Sequence, residues 1–220
     1  MLLLAFDTAT PAVTVALSDG SEVLASSTTV DARRHGELLA PGIETVLREA
    51  GADRRDLTDI AVGVGPGPFT GLRVGLVTAR TLGHVLAIPV HGVCTLDVLA
   101  AAAEIDRPAA SGRTFLVATD ARRKEVYWAR YADRLTRVDG PCVDRPTDIA
   151  TTDLVVGRGA RLYPDAFPHS AGPGDPTAGD LALLVAARRV RLLAPEPLYL
   201  RRPDVAEPGA RKSVLTRPVA

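Results

Sequence analysis

Two aspartates each end an apolar run that is typical of a buried strand. Asp7 follows residues 2–6, and Asp120 follows residues 115–119. A tight turn and a second apolar strand come after each of them, so the same pattern occurs once in each half of the chain. A carboxylate at such a turn could bind a metal ion or act as a base in phosphoryl transfer, or it could simply stabilise the turn. The repeated pattern indicates a duplicated unit.

The most specific segment lies between a predicted strand and a predicted helix. Residues 63–73 read Gly-Val-Gly-Pro-Gly-Pro-Phe-Thr-Gly-Leu-Arg, and their backbone amides could hold an anion. A P-loop would need Lys and then Ser or Thr where Leu72 and Arg73 stand, and a dinucleotide fingerprint would need glycine at Thr70. We therefore favour a rigid turn over a ligand site, with Phe69 in the core beneath the helix.

Histidine and cysteine spacing gives no metal site. No two of the four histidines are at metal-ligand spacing, and the two cysteines lack the paired spacing of a zinc site. Two cysteines are also too few for a disulfide framework, which fits a reducing compartment. The residues concerned are His35, His84, His91, His169, Cys94 and Cys142. We expect no catalytic histidine and no bound metal.

Hydrophobic periodicity in the first half predicts alternating strands and helices, which is typical of an α/β fold. The predicted strands cover residues 2–6, 13–17, 21–30, 60–64 and 89–93, the third of them antiparallel. The predicted helices cover residues 31–50, residues 70–89 and residues 95–103. Thr70 is expected to cap the second of these helices. Pro41 predicts a kink or a late start in the first.

Two of these helices carry faces that a second chain could cover. In the second helix, small residues recur every four positions, so that another backbone could approach closely, although the stripe could also seat the helix on its own domain. Glycine inside a helix costs about 1 kcal/mol relative to alanine, which indicates a packing need. The candidate interface residues are Leu38, Leu39, Ile43, Val46, Leu47, Gly71, Arg73, Gly75, Ala79 and Gly83.

A loss of periodicity marks the predicted domain boundary. Residues 106–113 contain Pro and Gly and show no helical or strand pattern. We therefore predict an N-terminal domain over residues 1–105, a C-terminal domain over 106–202 and a mobile tail over 203–220. Within the second domain, strands are expected at residues 115–119, 126–131 and 154–156, and a helix at 181–193.

Charge gives no strong indication of a nucleic-acid or membrane partner. Lys and Arg number 26, Asp and Glu also number 26, and aromatic residues make up 4% of the chain, so base stacking is a poor fit. No apolar run reaches the roughly 18 to 20 residues that cross a bilayer. A basic cluster could still neutralise RNA phosphates. Its members are Arg188, Arg189, Arg191, Arg201, Arg202, Arg211 and Lys212.

Four separated motifs together resemble the TsaB (YeaZ-like) family. They are Phe-Asp-Thr-Ala-Thr at residues 6–10, the loop at 65–73, Asp-Ala-Arg-Arg-Lys-Glu-Val-Tyr at 120–127 and Pro-Leu-Tyr-Leu-Arg at 197–201. Agreement in order over most of the chain is far more specific than any one motif. The resemblance implies an actin-like, sugar-kinase-type fold of two ribonuclease-H-like lobes, each a mixed sheet flanked by helices.

The resemblance also implies a role and partners. The chain would be a cytoplasmic, non-catalytic subunit that assembles with a TsaD-type catalytic partner and TsaE, and it would form a homodimer when alone. The complex would transfer threonylcarbamoyl to N6 of the adenosine beside the anticodon of tRNA, and this chain would contact tRNA at most indirectly. TsaD-type partners hold a metal with two histidines four residues apart, whereas here His91 is followed by Thr95.

Related actin-like proteins surround phosphate at two turns, which correspond here to Asp7, Thr8 and Thr10 and to the turn after Asp120. The second turn reads Ala-Arg-Arg-Lys at residues 121–124, where a small, glycine-containing turn would admit phosphate. We expect these to be vestigial phosphate turns, with no cofactor bound by this chain alone and ATP or ADP bound only with the partner. The alternative is a divergent small-molecule kinase of the same fold that uses either aspartate.

Overall fold

The computed structural model describes residues 1–103 and 114–201, and its strands form two mixed five-stranded sheets. In the first sheet the order is β3-β2-β1-β4-β5, with β1 antiparallel to β2 and parallel to β4. Its strands are β1 (Leu3–Asp7), β2 (Ala12–Ser18), β3 (Val23–Val30), β4 (Asp59–Gly63) and β5 (Val90–Val93). The central strands are apolar on both faces because helices cover both faces.

The second sheet repeats this topology. Its order is β10-β9-β6-β7-β8, with β6 antiparallel to β7 and parallel to β9. Its strands are β6 (Phe115–Asp120), β7 (Val126–Tyr131), β8 (Arg137–Asp144), β9 (Val155–Val156) and β10 (Ser170–Ala171). Read outward from β1 and from β6, the two sheets match strand for strand. The predicted duplication and the actin-like fold of two ribonuclease-H-like lobes are confirmed.

In the part of the chain that the structure describes, five α-helices flank the sheets. They are α1 (His35–Glu49), α2 (Phe69–Leu86), α3 (Thr95–Ala102), α4 (Arg158–Leu162) and α5 (Ala178–Ala186). Short 3-10 helices cover Arg54–Asp56 and Pro146–Ile149. In β1, Leu4 and Phe6 face α1 and α2, whereas Leu3 and Ala5 face α5. This alternation follows from the two-residue period of a strand.

The helix boundaries correct three local predictions. α1 begins at His35, six residues before Pro41, so the predicted late start is wrong. α2 begins at Phe69 with Pro68 at the N-cap, so Thr70 does not cap it. The helix predicted at residues 181–193 is α5 and ends at Ala186.

The last helix lies on the first sheet although it follows the second sheet in sequence. The Thr177 side chain caps α5, and the amide of Ala178 donates a 2.9 Å hydrogen bond to the Thr14 hydroxyl in β2. Leu181 and Val185 pack against Leu3 and neighbouring residues of the first sheet. α5 therefore packs with the first sheet, although the predicted C-terminal domain includes its residues. The proposed boundary at 106–113 and the tail at 203–220 lie outside the described residues.

Candidate functional site

The turn after β1 is tied to two other parts of the first lobe through Asp7. This carboxyl group is completely buried, and it accepts hydrogen bonds from the amide of Ala9 (2.7 Å) and the hydroxyl of Thr95 (2.7 Å). A Cβ on Gly63 would collide with the Asp7 carboxylate, so glycine is required there. Burial raises the pKa of Asp7 to about 6, although both hydrogen bonds lower it. Asp7 thus joins β1, its turn and the start of α3.

The two threonines of this turn use their hydroxyls within the chain. Thr8 Oγ1 donates to the carbonyl of Gly71 (2.8 Å) and accepts from the amide of Gly75 (3.1 Å). Thr10 Oγ1 accepts from the amide of Ala12 (3.2 Å). Because these groups already bond to the backbone, they are poorly placed to surround a phosphate.

The second turn has a different backbone. Arg122, Arg123 and Lys124 all have positive φ, between 55° and 62°. Left-handed geometry is uncommon for residues with a Cβ, and three in succession are strained. Asp120 steadies the turn, since its carboxylate accepts from the Arg122 amide (2.8 Å) and forms an ion pair with the Arg122 guanidinium (3.3 Å). This turn therefore presents exposed basic side chains instead of a small, glycine-containing backbone that phosphate could approach.

The glycine-proline loop leads into an aromatic contact at the mouth of the cleft between the lobes. The rings of Phe69 and Tyr199 stack with centroids 4.9 Å apart. The Arg73 guanidinium lies 3.6 Å from the Phe69 centroid and donates to the Tyr199 hydroxyl (2.9 Å). Phe69 is partly exposed, so its predicted place in the core beneath the helix is wrong.

A cavity of about 420 Å³ lies between this aromatic pair and the second turn. It is lined by Gly67, Ala121 and Arg122 together with residues 198–201. The amide of Leu198 donates to the carbonyl of Val64 (2.9 Å), and the Arg201 guanidinium donates to the carbonyl of Ala121 (3.3 Å). The segment 193–201 therefore bridges the lobes, and its side chains form one wall of the cavity.

The small-residue stripe of α2 faces its own sheet. Gly71, Gly75, Ala79 and Gly83 are all buried, and a Cβ on Gly75 would lie 2.5 Å from Thr8 Oγ1. The close approach expected of these residues occurs within the chain, in agreement with the alternative that the stripe seats the helix on its own domain.

The apolar face of α1 is also largely internal. Leu39, Ile43 and Val46 are buried in the first core, and Leu38 and Leu47 are partly buried beside it. These side chains contribute to the fold whether or not a second chain is present.

The opposite face of α2 carries accessible apolar residues. Val77 is 63% exposed and Val85 is 72% exposed. Thr81, which is exposed, and Val74, which is partly buried against the first core, lie on the same helical stripe. Arg73 is also exposed. We call Val74, Val77, Thr81 and Val85 the outer stripe of α2. Sequence reasoning selected the glycine stripe instead, although the three valines recur at helical spacing.

Two of the four histidines, His35 and His91, have side-chain contacts within the protein. His35 is buried, and its Nε2 lies 2.8 Å from the carbonyl oxygen of Thr10. His91 Nε2 lies 2.9 Å from a carboxylate oxygen of Asp59. In residues 1–103 and 114–201, no three His, Cys, Asp or Glu side chains are grouped so that they could hold a metal ion. None of the helices in this described part is long and apolar enough to span a membrane.

A family model and a solved structure show the class of protein to which the chain belongs. A family model described as TsaD, tRNA N6-adenosine threonylcarbamoyltransferase, matches residues 22–163. The structure of YeaZ from Pseudomonas aeruginosa superimposes with a TM-score of 0.74 at 30% identity, and the match covers 90% of this chain and 99% of that one. The two-lobed fold is thus that of YeaZ, and the chain matches the family model of tRNA N6-adenosine threonylcarbamoyltransferases.

Relatives with similar sequences show which family within this class the chain belongs to. The tRNA threonylcarbamoyladenosine biosynthesis protein TsaB of Escherichia coli is 31% identical over 223 residues, which cover 91% of this chain and 95% of that protein. An uncharacterised protein of Mycobacterium tuberculosis is 43% identical, with 92% of each chain covered. An uncharacterised Mycobacterium leprae relative, also 43% identical, is longer, and the match covers 55% of it. The chain belongs to the TsaB (YeaZ-like) family.

Proposed function

We propose that this chain is a non-catalytic subunit that supports a TsaD-type partner in threonylcarbamoyl transfer to N6 of the adenosine beside the anticodon of tRNA. Family membership supports the pathway. The subunit role is supported by the first turn, where Asp7 is completely buried and Thr8 bonds to the backbone of α2. Groups engaged in this way hold the fold together and are not available to bind a substrate.

The outer stripe of α2 is the observation that carries the subunit proposal. Val77 and Val85 project from the helix face opposite the glycine stripe, which already packs on the sheet. β-branched residues are not favoured on an exposed helix face, and two of them on one stripe fit a surface that another helix covers. We propose that the partner packs on this stripe and on the neighbouring edge of α1 at Leu38 and Leu47.

The remaining parts of the proposal rest on family membership. TsaE would be a third component, the chain would form a homodimer when the partner is absent, and the assembly would be cytoplasmic. ATP or ADP would bind only in the complex. The tRNA would be contacted mainly by the partner.

Co-purification with the organism's TsaD-type protein tests the subunit role. We expect Val77→Glu and Val85→Glu to abolish association, because each places a carboxylate in an apolar contact. Val138→Glu is the matched control, since Val138 is 53% exposed on β8 of the other lobe. Unchanged association of both α2 variants would refute the proposed surface.

A second measurement tests whether chemistry resides in this chain. Purified protein alone, given threonylcarbamoyl-adenylate and tRNA, is expected to leave the tRNA unmodified, and the partner should be needed for modification. Modification by the chain alone would contradict the subunit role.

The small-molecule kinase alternative has less support. Asp7 is buried and hydrogen-bonded, and the second turn presents Arg122 in place of a glycine-containing phosphate loop. Titration of the isolated chain with ATP and magnesium separates the two functions, because a kinase would bind the nucleotide without a partner.

A further inference from the structure

A second cavity lies on the other side of the molecule, where the second sheet meets the loop after α5. Its volume is about 320 Å³, and four arginines line it: Arg134, Arg137, Arg189 and Arg191. Among the described residues that line it, Asp97 at the start of α3 is the one carboxylate. The cavity thus gathers side chains from three elements that are far apart in sequence. We call it the arginine cavity.

One arginine is already paired in the arginine cavity. The Arg137 guanidinium lies 3.4 Å from Oδ1 of Asp97, and the Tyr131 hydroxyl donates a 2.7 Å hydrogen bond to the same oxygen. Asp133, a further carboxylate of this hairpin, accepts hydrogen bonds from the amides of Leu135 and Thr136. Among the described lining residues one carboxylate thus faces four guanidiniums and interacts with those of Arg137 and Arg191, so the local charge is net positive.

Over the described ranges, the other three arginines have no ion pair as close as that of Arg137, although Arg191 interacts electrostatically with Asp97. In the described residues, the guanidinium groups of Arg134, Arg189 and Arg191 form no hydrogen bond and no ion pair within 4.0 Å. Arg34, Arg130 and Arg158, by contrast, each contact a carboxylate. Unpaired like charges around one concavity repel each other, so their convergence is explained if an anion occupies the space.

We propose that the arginine cavity binds a phosphate group. Guanidinium forks match phosphate oxygens in planar, bidentate geometry, and several of them can share one phosphate. Leu184 and Val190 form an apolar wall that limits water and so strengthens these bonds. The volume accommodates a phosphate and part of the group that carries it. A free phosphate ester and an RNA backbone phosphate present the same chemistry.

The test uses the full chain and two probes. Inorganic phosphate is titrated while the arginine Nε–H signals are followed by NMR, and a tRNA transcript is then added as competitor. The variant Arg189→Gln/Arg191→Gln removes two of the unpaired guanidiniums. Arg54→Gln/Arg55→Gln is the matched control, because it removes the same charge from exposed residues of a 3-10 helix outside the cavity.

We expect saturable phosphate binding that the cavity variant weakens roughly tenfold or more and the control variant changes by less than about twofold. Displacement by tRNA would identify an RNA phosphate as the ligand, and phosphate binding without displacement would identify a free phosphate ester. Either result supports the site. Absence of saturable binding to both probes, or an equal loss in the control, would overturn it. Association with the TsaD-type partner is a separate readout, so the two proposals can fail independently.

Discussion

Oδ2 of Asp7 accepts a 2.7 Å hydrogen bond from the hydroxyl of Thr95, which links the first strand to the start of α3. The same hydroxyl oxygen accepts a 3.2 Å hydrogen bond from the amide of Gly65. One buried carboxyl group and one hydroxyl therefore position three backbone segments beside the cleft.

Asp7→Asn is expected to remove a pH dependence of stability. Burial raises the pKa of Asp7 to about 6 in the folded chain, above its ordinary value. Between about pH 4 and 6 the folded state keeps a proton that the unfolded state has lost, so this group's contribution to stability falls as pH rises. A shift of about two units corresponds to about 3 kcal/mol, an upper estimate.

Urea unfolding of the parent chain and of Asp7→Asn, across this pH window, measures the effect. Asp19→Asn is a control in which the pH dependence has the opposite sign. The amides of Glu22 and Ser21 donate hydrogen bonds to the Asp19 carboxylate and lower its pKa, so the contribution of Asp19 to stability rises with pH. A constant difference between the parent chain and Asp7→Asn at all pH values would show that folding does not raise the pKa of the Asp7 carboxyl.

Gly75→Ala should destabilise the monomer by about 1–3 kcal/mol, because the new methyl group would lie 2.5 Å from Thr8 Oγ1. Thr8→Ala removes that oxygen, so the double variant should lose less stability than the sum of the single variants. Thermal and urea unfolding provide the measurement. Gly36→Ala is the control, as no atom lies within 4 Å of its added Cβ. Additive losses would show that these two residues do not compete for space.

Lys124→Gly should raise the free energy of unfolding by about 1 kcal/mol, because glycine relieves the cost of a left-handed backbone. The φ of Lys124 is 62°, the last of three successive positive values. Lys124→Ala removes the same charge but keeps a Cβ, so it should give no such gain. Equal stability of the two variants would argue against strain in this turn.

Tyr199→Ala should loosen the segment that bridges the lobes, whereas Tyr199→Phe should keep most of the stability. Phenylalanine preserves the stack on Phe69 and loses only the hydrogen bond from Arg73. Stacked pairs contribute about 0.5–1.5 kcal/mol beyond their buried area. Amide hydrogen exchange of Leu198, whose amide bonds to Val64 across the segment, reports the change. Similar exchange rates of the Leu198 amide in Tyr199→Ala and Tyr199→Phe would show that loss of the hydroxyl, and not of the ring stack, loosens the segment.

Local patterns were sufficient for most of the strands. Val126–Tyr131 was predicted with its observed bounds, Leu3–Asp7 differs from prediction by one residue at each end, and Phe115–Asp120 differs by one residue at its end. These strands are apolar runs with Asp or a turn at the end, which periodicity detects. β8, β10 and α4 were missed; α4 and β10 are short, and β8 is only partly buried, so its pattern is weak.

Tertiary arrangement was harder to predict. The position of α5 on the first sheet depends on contacts such as Ala178 with Thr14, which are 164 residues apart. Periodicity shows that a helix has an apolar face but not which sheet that face meets. For the same reason periodicity could not decide whether the glycine stripe of α2 meets a partner or its own domain, where it packs on Thr8.

The late position of α5 has a consequence during protein synthesis. One side of the first sheet, including Leu3 and Ala5, is covered by Leu181, Ala182 and Val185. Until that helix leaves the ribosome, a nascent chain with five completed strands still shows an apolar surface to water. We therefore expect this lobe to reach its final structure only after α5 has left the ribosome, and chaperones can bind the uncovered surface until then.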